Sequence, residues 1–165
     1  MKTMRVLLSA AMLALMMAAC GTTSSLSKAE KAALVARQVD SLLSNRTFTI
    51  EVDWMRPLGG TPRHVTSNYE LTLNGDQLDS YLPYIGEAYR LPYGTTKGLN
   101  FKGTVTDYNM KMTTSNRYVI EFNVANNEDV YHYRIDTFNN GKAIIDVIAR
   151  DRDAISFDGM MKLPQ

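Results

Sequence analysis

The chain has 165 residues, with 18 Lys and Arg against 17 Asp and Glu, two His and a single Cys, for a formal net charge of +1. That balance advertises no basic face, which argues against a nucleic-acid partner, because phosphates are held by clustered Lys and Arg. A lone cysteine excludes an internal disulfide and any site built on two thiolates.

Residues 1–19 read as a targeting segment. Lys2 and Arg5 form a positive start, and residues 6–17 are apolar apart from Ser9. The run is too short to span a bilayer as a helix, so the segment is expected to be cleaved. It ends in Met17-Ala18-Ala19-Cys20-Gly21, which resembles the lipobox of bacterial lipoproteins, with Met17 standing where Leu is usual. The resemblance implies a diacylglyceryl group on the Cys20 thiol and a mature chain that begins at Cys20. Lipidation would leave no thiol for a nucleophile or a metal. Two or three acyl chains, at about 0.8 kcal/mol per buried CH₂, would hold the protein on its membrane without help from the folded surface. Residues 20–27 are then the lipidated Cys and a short polar tether. No acidic cluster follows Cys20, and the expected location is the outer membrane of a Gram-negative cell, facing the periplasm. Removing Lys2 and Arg5 leaves 18 − 2 = 16 basic against 17 acidic residues, and 165 − 19 = 146 residues, enough for one core and one globular domain over 28–165.

Ser27-Lys28-Ala29-Glu30 has the form of a capping box, so a helix is expected to start there. Ala32, Val35, Ala36, Val39, Leu42 and Leu43 recur at helical spacing and give one apolar stripe, with Asn45 as the stop. Alternation then takes over. Phe48, Ile50, Val52 and Trp54 share one phase of a strand, and a Pro-Gly stretch over 57–62 breaks it. The run YELTLNGDQLDSYL predicts a hairpin about Asn74-Gly75, with Leu71 opposite Leu78 and Glu70 opposite Asp79. Beyond Gly98, Phe101 and Val105 lie in one phase and Tyr108, Met110 and Met112 in the other, which a bulge at Thr106-Asp107 would reconcile. Tyr118, Ile120, Phe122 and Val124 point inward. A three-residue loop at Asn139-Asn140-Gly141 sets Ile135 against Ile145, Tyr133 against Val147 and Arg134 against Asp146, a surface ion pair. Ile155, Phe157, Met161 and Leu163 close the chain.

These runs predict an α+β fold: an N-terminal amphipathic helix packed on a curved antiparallel sheet of seven or eight strands, with a closed barrel or a two-sheet sandwich as the alternative. Neither His64 nor His132 has an acid or a Ser at a recognisable spacing, and there is no G-x-S-x-G, H-E-x-x-H or phosphate-cradling loop. No catalytic residue, metal ligand or cofactor is assigned. Residues 80–94, SYLPYIGEAYRLPYG, are the conspicuous stretch. Tyr81, Tyr84, Tyr89 and Tyr93 either present rings to a protein, peptide or glycan ligand or plug an open end of the sheet.

Tyr81-Leu82-Pro83-Tyr84-Ile85-Gly86, preceded by Ser80 and followed by Ala88-Tyr89, resembles the YLPY-aromatic-Gly motif of the domain-of-unknown-function 4251 (DUF4251) family of bacterial lipoproteins, with Ile85 in place of the usual Phe. The resemblance extends over the mature chain and implies no catalytic residues. The expected function is a membrane-anchored, non-enzymatic binding or scaffold module of the cell envelope. The alternative is a small hydrolase or ligand carrier with a cavity inside the sheet.

Overall fold

The computed structural model describes residues 26–86, 98–113 and 116–164. Helix α1 runs over Lys28–Ser44, and Ser27 caps it as its sequence predicts. The Glu30 amide donates to the Ser27 hydroxyl and the Ser27 amide to the Glu30 carboxylate, at 3.3 and 2.8 Å. Asn45 is the C-cap. Of the apolar stripe, Val39 and Leu43 are fully buried, Val35 and Leu42 are partly buried against the core, and Ala32 is exposed.

Nine strands follow: β1 (Thr47–Pro57), β2 (Arg63–His64), β3 (Glu70–Asn74), β4 (Gln77–Leu82), β5 (Leu99–Met112), β6 (Arg117–Ala125), β7 (Val130–Phe138), β8 (Lys142–Ala149) and β9 (Ile155–Met161). Every sequential neighbour from β3 to β9 pairs antiparallel. β1 pairs with β3 on one side and with β9 on the other, so eight strands close into an up-and-down barrel with β2 as a stub on β1. Closure, the alternative offered by the sequence, removes the sheet edges that a curled open sheet would leave unpaired.

Eight strands enclose a space that side chains can fill. Here aromatic rings fill much of it. Tyr108, Phe122 and Tyr133 stack across β5, β6 and β7 at 6.2 and 5.2 Å between centroids, and Phe101 stacks on Tyr131 at 4.7 Å. The buried Tyr133 hydroxyl lies 3.1 Å from that of Ser80, which donates to the Leu99 carbonyl at 2.7 Å. The helix covers one end. Tyr118, at the start of β6, donates to Asp40 at 2.8 Å, Gln38 donates to the Pro164 carbonyl, and the Arg46 carbonyl accepts from Gly75 in the β3–β4 turn. The helix therefore stoppers the barrel.

Several registers match expectation. Ile135 faces Ile145, Tyr133 faces Val147 and Arg134 faces Asp146, with Gly141 left-handed at φ 85°. The β5 bulge falls between Thr106 and Asn109, with Asp107 at φ 54°.

Three details differ. The two residues of the β3–β4 turn are Gly75 and Asp76, flanked by the Asn74–Gln77 pair, and only Gly75 takes positive φ. One left-handed residue suffices, so the hairpin needs no second at Asn74. Leu71 consequently faces Ser80, and Glu70 faces Tyr81 rather than Asp79. The like-charge pair disappears: Asp79 pairs with Lys102 at 2.7 Å and Glu70 with Lys162 at 2.7 Å. In β1 a register shift between Val52 and Trp54 reverses the phase, leaving Trp54 44% exposed and turning Met55 inward. Arg134 lies across from Asp146 yet pairs with Glu121 at 2.7 Å and Asp136 at 3.3 Å, while Asp146 accepts from Ser156.

Five tyrosines are held above their ordinary value: Tyr84, Tyr108, Tyr131 and Tyr133 chiefly by burial, Tyr118 chiefly by its hydrogen bond to the Asp40 carboxylate. A raised folded-state value stabilises the fold fully below the unfolded tyrosine value of 10.0. That stability is lost as pH climbs, because the unfolded chain releases protons the folded chain must keep. The urea midpoint is expected to fall steeply between about pH 9 and about pH 11.5, and Tyr118→Phe to make that fall shallower. A flat midpoint across this window would contradict the burial of these hydroxyls.

Candidate functional site at the open end of the barrel

The end opposite the helix is built from the β1–β3 connection, the β4–β5 connection, and the β6–β7 and β8–β9 turns. β1 has 11 residues and β5 has 14, but β3 has only 5. Past the Glu51–Glu70 pair the Tyr69 carbonyl still accepts from the Val52 amide at 2.9 Å, and residues 66–68 leave the barrel wall between it and Val65, whose amide donates to the Asp53 carbonyl at 2.9 Å. A cleft of about 530 Å³ occupies the gap. His64, Thr66, Ser67 and Tyr69 line one side, Pro83, Tyr84 and Ile85 the other, with Asn100 and Met55 among the remaining lining residues. The volume falls within the range of small-ligand sites.

Among the described residues that line the cleft there is no Asp, Glu, Lys or Arg. His64 meets the Trp54 ring edge-on at 5.5 Å and has no carboxylate among the described cleft residues. The other histidine, His132, lies near the start of β7 on its outer phase and not among the described cleft residues, with its Nδ1 2.9 Å from the Asn123 side-chain oxygen. Among the described residues no group of three or more His, Cys, Asp or Glu could hold a metal ion.

The candidate tyrosines divide. Tyr81 is 46% exposed on the outer phase of β4, its ring 5.1 Å from that of Tyr69. Tyr84 folds back over the end of the barrel, where its hydroxyl donates to the Asp153 carbonyl at 3.2 Å. A Cβ on Gly86 would lie 2.6 Å from that hydroxyl, so the glycine two residues on gives the ring its place. Tyr84 thus belongs to the plug as well as to the cleft wall. Tyr89, Tyr93 and Cys20 lie outside the described residues.

Beneath Tyr84 sits an ion pair that no local sequence pattern signals. The Arg152 side chain, 1% exposed, donates to Glu128 at 2.6 Å. Its guanidinium lies 5.6 Å from the Tyr84 ring centroid and 5.9 Å from that of Tyr131. Asp129, also buried, accepts from the backbone amides of Val130, Arg150 and Asp151 at 2.7–3.2 Å, which ties the β6–β7 turn to the chain leaving β8. The cleft residues Thr66 and Ser67 were equally hidden in sequence, since short polar residues in a connection read as turn formers, and Asn100 reads only as an outward position of β5.

The fold and this end together define a small helix-stoppered, eight-stranded antiparallel barrel with an aromatic-rich interior and a cleft at its mouth. Residues 30–161 match the family model described as a domain of unknown function (DUF4251), and the chain belongs to that family. Its fold is shared by the crystal structure of a DUF4251 family protein from Bacteroides eggerthii DSM 20697, at 15% identity and a TM-score of 0.62, over 79% of this chain and 89% of that one. No curated protein matches the chain.

Proposed function

We propose that the protein is a lipid-anchored, non-enzymatic binding module of the bacterial cell envelope that engages its ligand at the mouth of the barrel. The observation that carries this reading is the cleft of about 530 Å³, bounded by the tyrosine-bearing 83–85 segment and by the chain at 64–69 with its detour at 66–68. The described lining residues, hydroxyls, an amide, aromatic rings and one imidazole, are suited to holding a molecule, and among them no base–acid pair or metal-binding cluster is formed. The anchor fits the geometry. Residues 20–27 precede α1 at the stoppered end, and eight residues reach at most about 29 Å when extended. A lipid on Cys20 would hold the helix end near the bilayer and leave the mouth facing away from it.

Two measurements test this. Mass spectrometry of the N-terminal peptide from the native host is expected to find Cys20 acylated and residues 1–19 absent. A photoreactive phenylalanine analogue at Ile85, on the cleft, is expected to give adducts in intact cells, and the same residue at Asn139, beside the helix, is not. An unmodified Cys20 thiol would refute the anchor, and equal labelling at both ends would refute the mouth as the contact surface.

A further inference from the structure

Resting on the lipid anchor of that reading, we infer that the stoppered end carries a cationic face that seats on anionic phospholipid headgroups of the membrane holding Cys20. The described Lys and Arg side chains that enter no ion pair are Lys28, Lys31, Arg37, Lys111, Lys142 and Arg63. All but Arg63 belong to α1 or to strand ends on the helix side of the barrel. Lys142 opens β8 directly after the turn whose Asn139 and Asn140 share a groove with Lys31. Lys111 lies in β5 beside the Met112–Tyr118 pair, and Tyr118 holds Asp40 of the helix. The α1 carboxylates are already engaged, Glu30 in the cap and Asp40 by that hydroxyl. The parts of the chain at this end that lie outside the described residues, 21–25, 114–115 and 165, contain no Asp or Glu.

The first half of α1 stands clear of the barrel to make such a contact. Residues 26–34 are all exposed, and packing on the core begins only at Val35. Helices take most of their stability from a covered face, so this half gains from a second surface. Leu34, 45% exposed, lies on the side of the helix turned from the buried Val39 and Leu43, with Lys31 and Arg37 one turn to either side. A leucine flanked by cations suits a helix resting in a headgroup layer. Cys20 is six residues from Leu26, a reach of at most about 22 Å, so the lipid keeps these charges close to the surface that attracts them. A second copy of the chain fits less well, because it would set lysine against lysine.

The test uses the full-length lipoprotein in phosphatidylcholine vesicles with and without phosphatidylglycerol. A photoreactive phenylalanine analogue is placed at Leu34 or, as the control, at Leu58 just beyond the far end of β1, and lipid adducts are read by mass spectrometry. Leu34 is expected to give lipid adducts that require phosphatidylglycerol and fade in high salt, and Leu58 to give none. Lys31→Gln with Arg37→Gln is expected to cut the Leu34 yield about twentyfold, from roughly fivefold for each basic side chain at an anionic surface, with the melting temperature unchanged. Equal yields in the two kinds of vesicle, or a yield the double variant leaves unchanged, would overturn the cationic face. Leu34 adducts to protein rather than lipid would overturn the occupant. An acylated Cys20 with Leu34 as silent as Leu58 would refute the seating and leave the anchor standing. With Cys20 unmodified the anchor falls, and the same assay on protein added to phosphatidylglycerol vesicles decides the rest: adducts at Leu34 would keep the face, and silence would refute both.

Discussion

Gly159→Ala is expected to open the barrel at its closing seam. A Cβ at this position would lie 2.1 Å from the Glu51 carbonyl oxygen and 3.0 Å from Ile50 Cγ2. The first of these is backbone, fixed by the ladder that joins β1 to β9 from Ile50–Met161 through Val52–Gly159. One strand must move, and with it the β1–β9 pairing that joins the first strand to the last. Overpacking of this sort costs about 3 kcal/mol or more, which for a chain of this size lowers the melting temperature by about 10 °C. Gly103→Ala supplies a contrast, because its Cβ would meet the Val124 side chain at 2.5 Å, not backbone. Pairing it with Val124→Ala should recover much of its loss, whereas no second substitution near Gly159 can remove a carbonyl. Circular-dichroism melts of the three variants decide the matter. A Gly159→Ala protein melting within 2 °C of the parent, on the scale where about 1 kcal/mol shifts a domain by a few degrees, would show that the seam tolerates being spread.

The parts of this architecture that the sequence reveals are those governed by local chemistry. Ser27 and Glu30 announce a helix start because both halves of the cap lie within four residues. The strands of the second half are legible because strict alternation leaves one face for the core, and the β7–β8 register follows because only one loop length satisfies the packing of Ile135 on Ile145 and Tyr133 on Val147. The misreadings come where a single backbone irregularity resets the phase. The irregularity after Val52 sends Trp54 outward against apolar patterning, since a bulge is fixed by what the neighbouring strands require and not by the residue it displaces. At Asn74-Gly75 the motif identified the turn but not which two residues occupy it.

The mouth was the least legible region. The Tyr-Leu-Pro-Tyr stretch announced that something is built there, yet Arg152 and Glu128 are 24 positions apart and meet only because β7 and β8 bring their turns to the same end. The cleft likewise exists because β3 is short beside β1 and β5, a mismatch of lengths between strands that no one of them encodes alone.

Arg152→Ala is expected to be the second severe change, and its effect should extend beyond the residue. The guanidinium is buried, donates to Glu128, and has the rings of Tyr84 and Tyr131 within 6 Å. Removing it strands the Glu128 carboxylate, which is itself 23% exposed, and withdraws support from the ring that closes the mouth. Breaking a buried ion pair from one side typically costs about 3–5 kcal/mol, because the surviving charge loses its partner. A fall of roughly 10 °C in melting temperature is expected, with hydrogen exchange quickening first at residues 126–130 and 150–154 and last in the β5–β6–β7 core. Lysine should not substitute, since its ammonium lacks the planar group that can lie against two aromatic rings. The double variant Arg152→Met with Glu128→Gln separates the charge effect from packing. It keeps an apolar stem beneath Tyr84 and leaves no stranded charge, so it should recover more than half of the loss. If the double variant melts no higher than Arg152→Ala, the end is held by the shape and the hydrogen bonds of the arginine itself. If Arg152→Ala melts with the parent, the Asp129 tie between the two turns is sufficient without it, and the guanidinium is free to serve another purpose at the mouth.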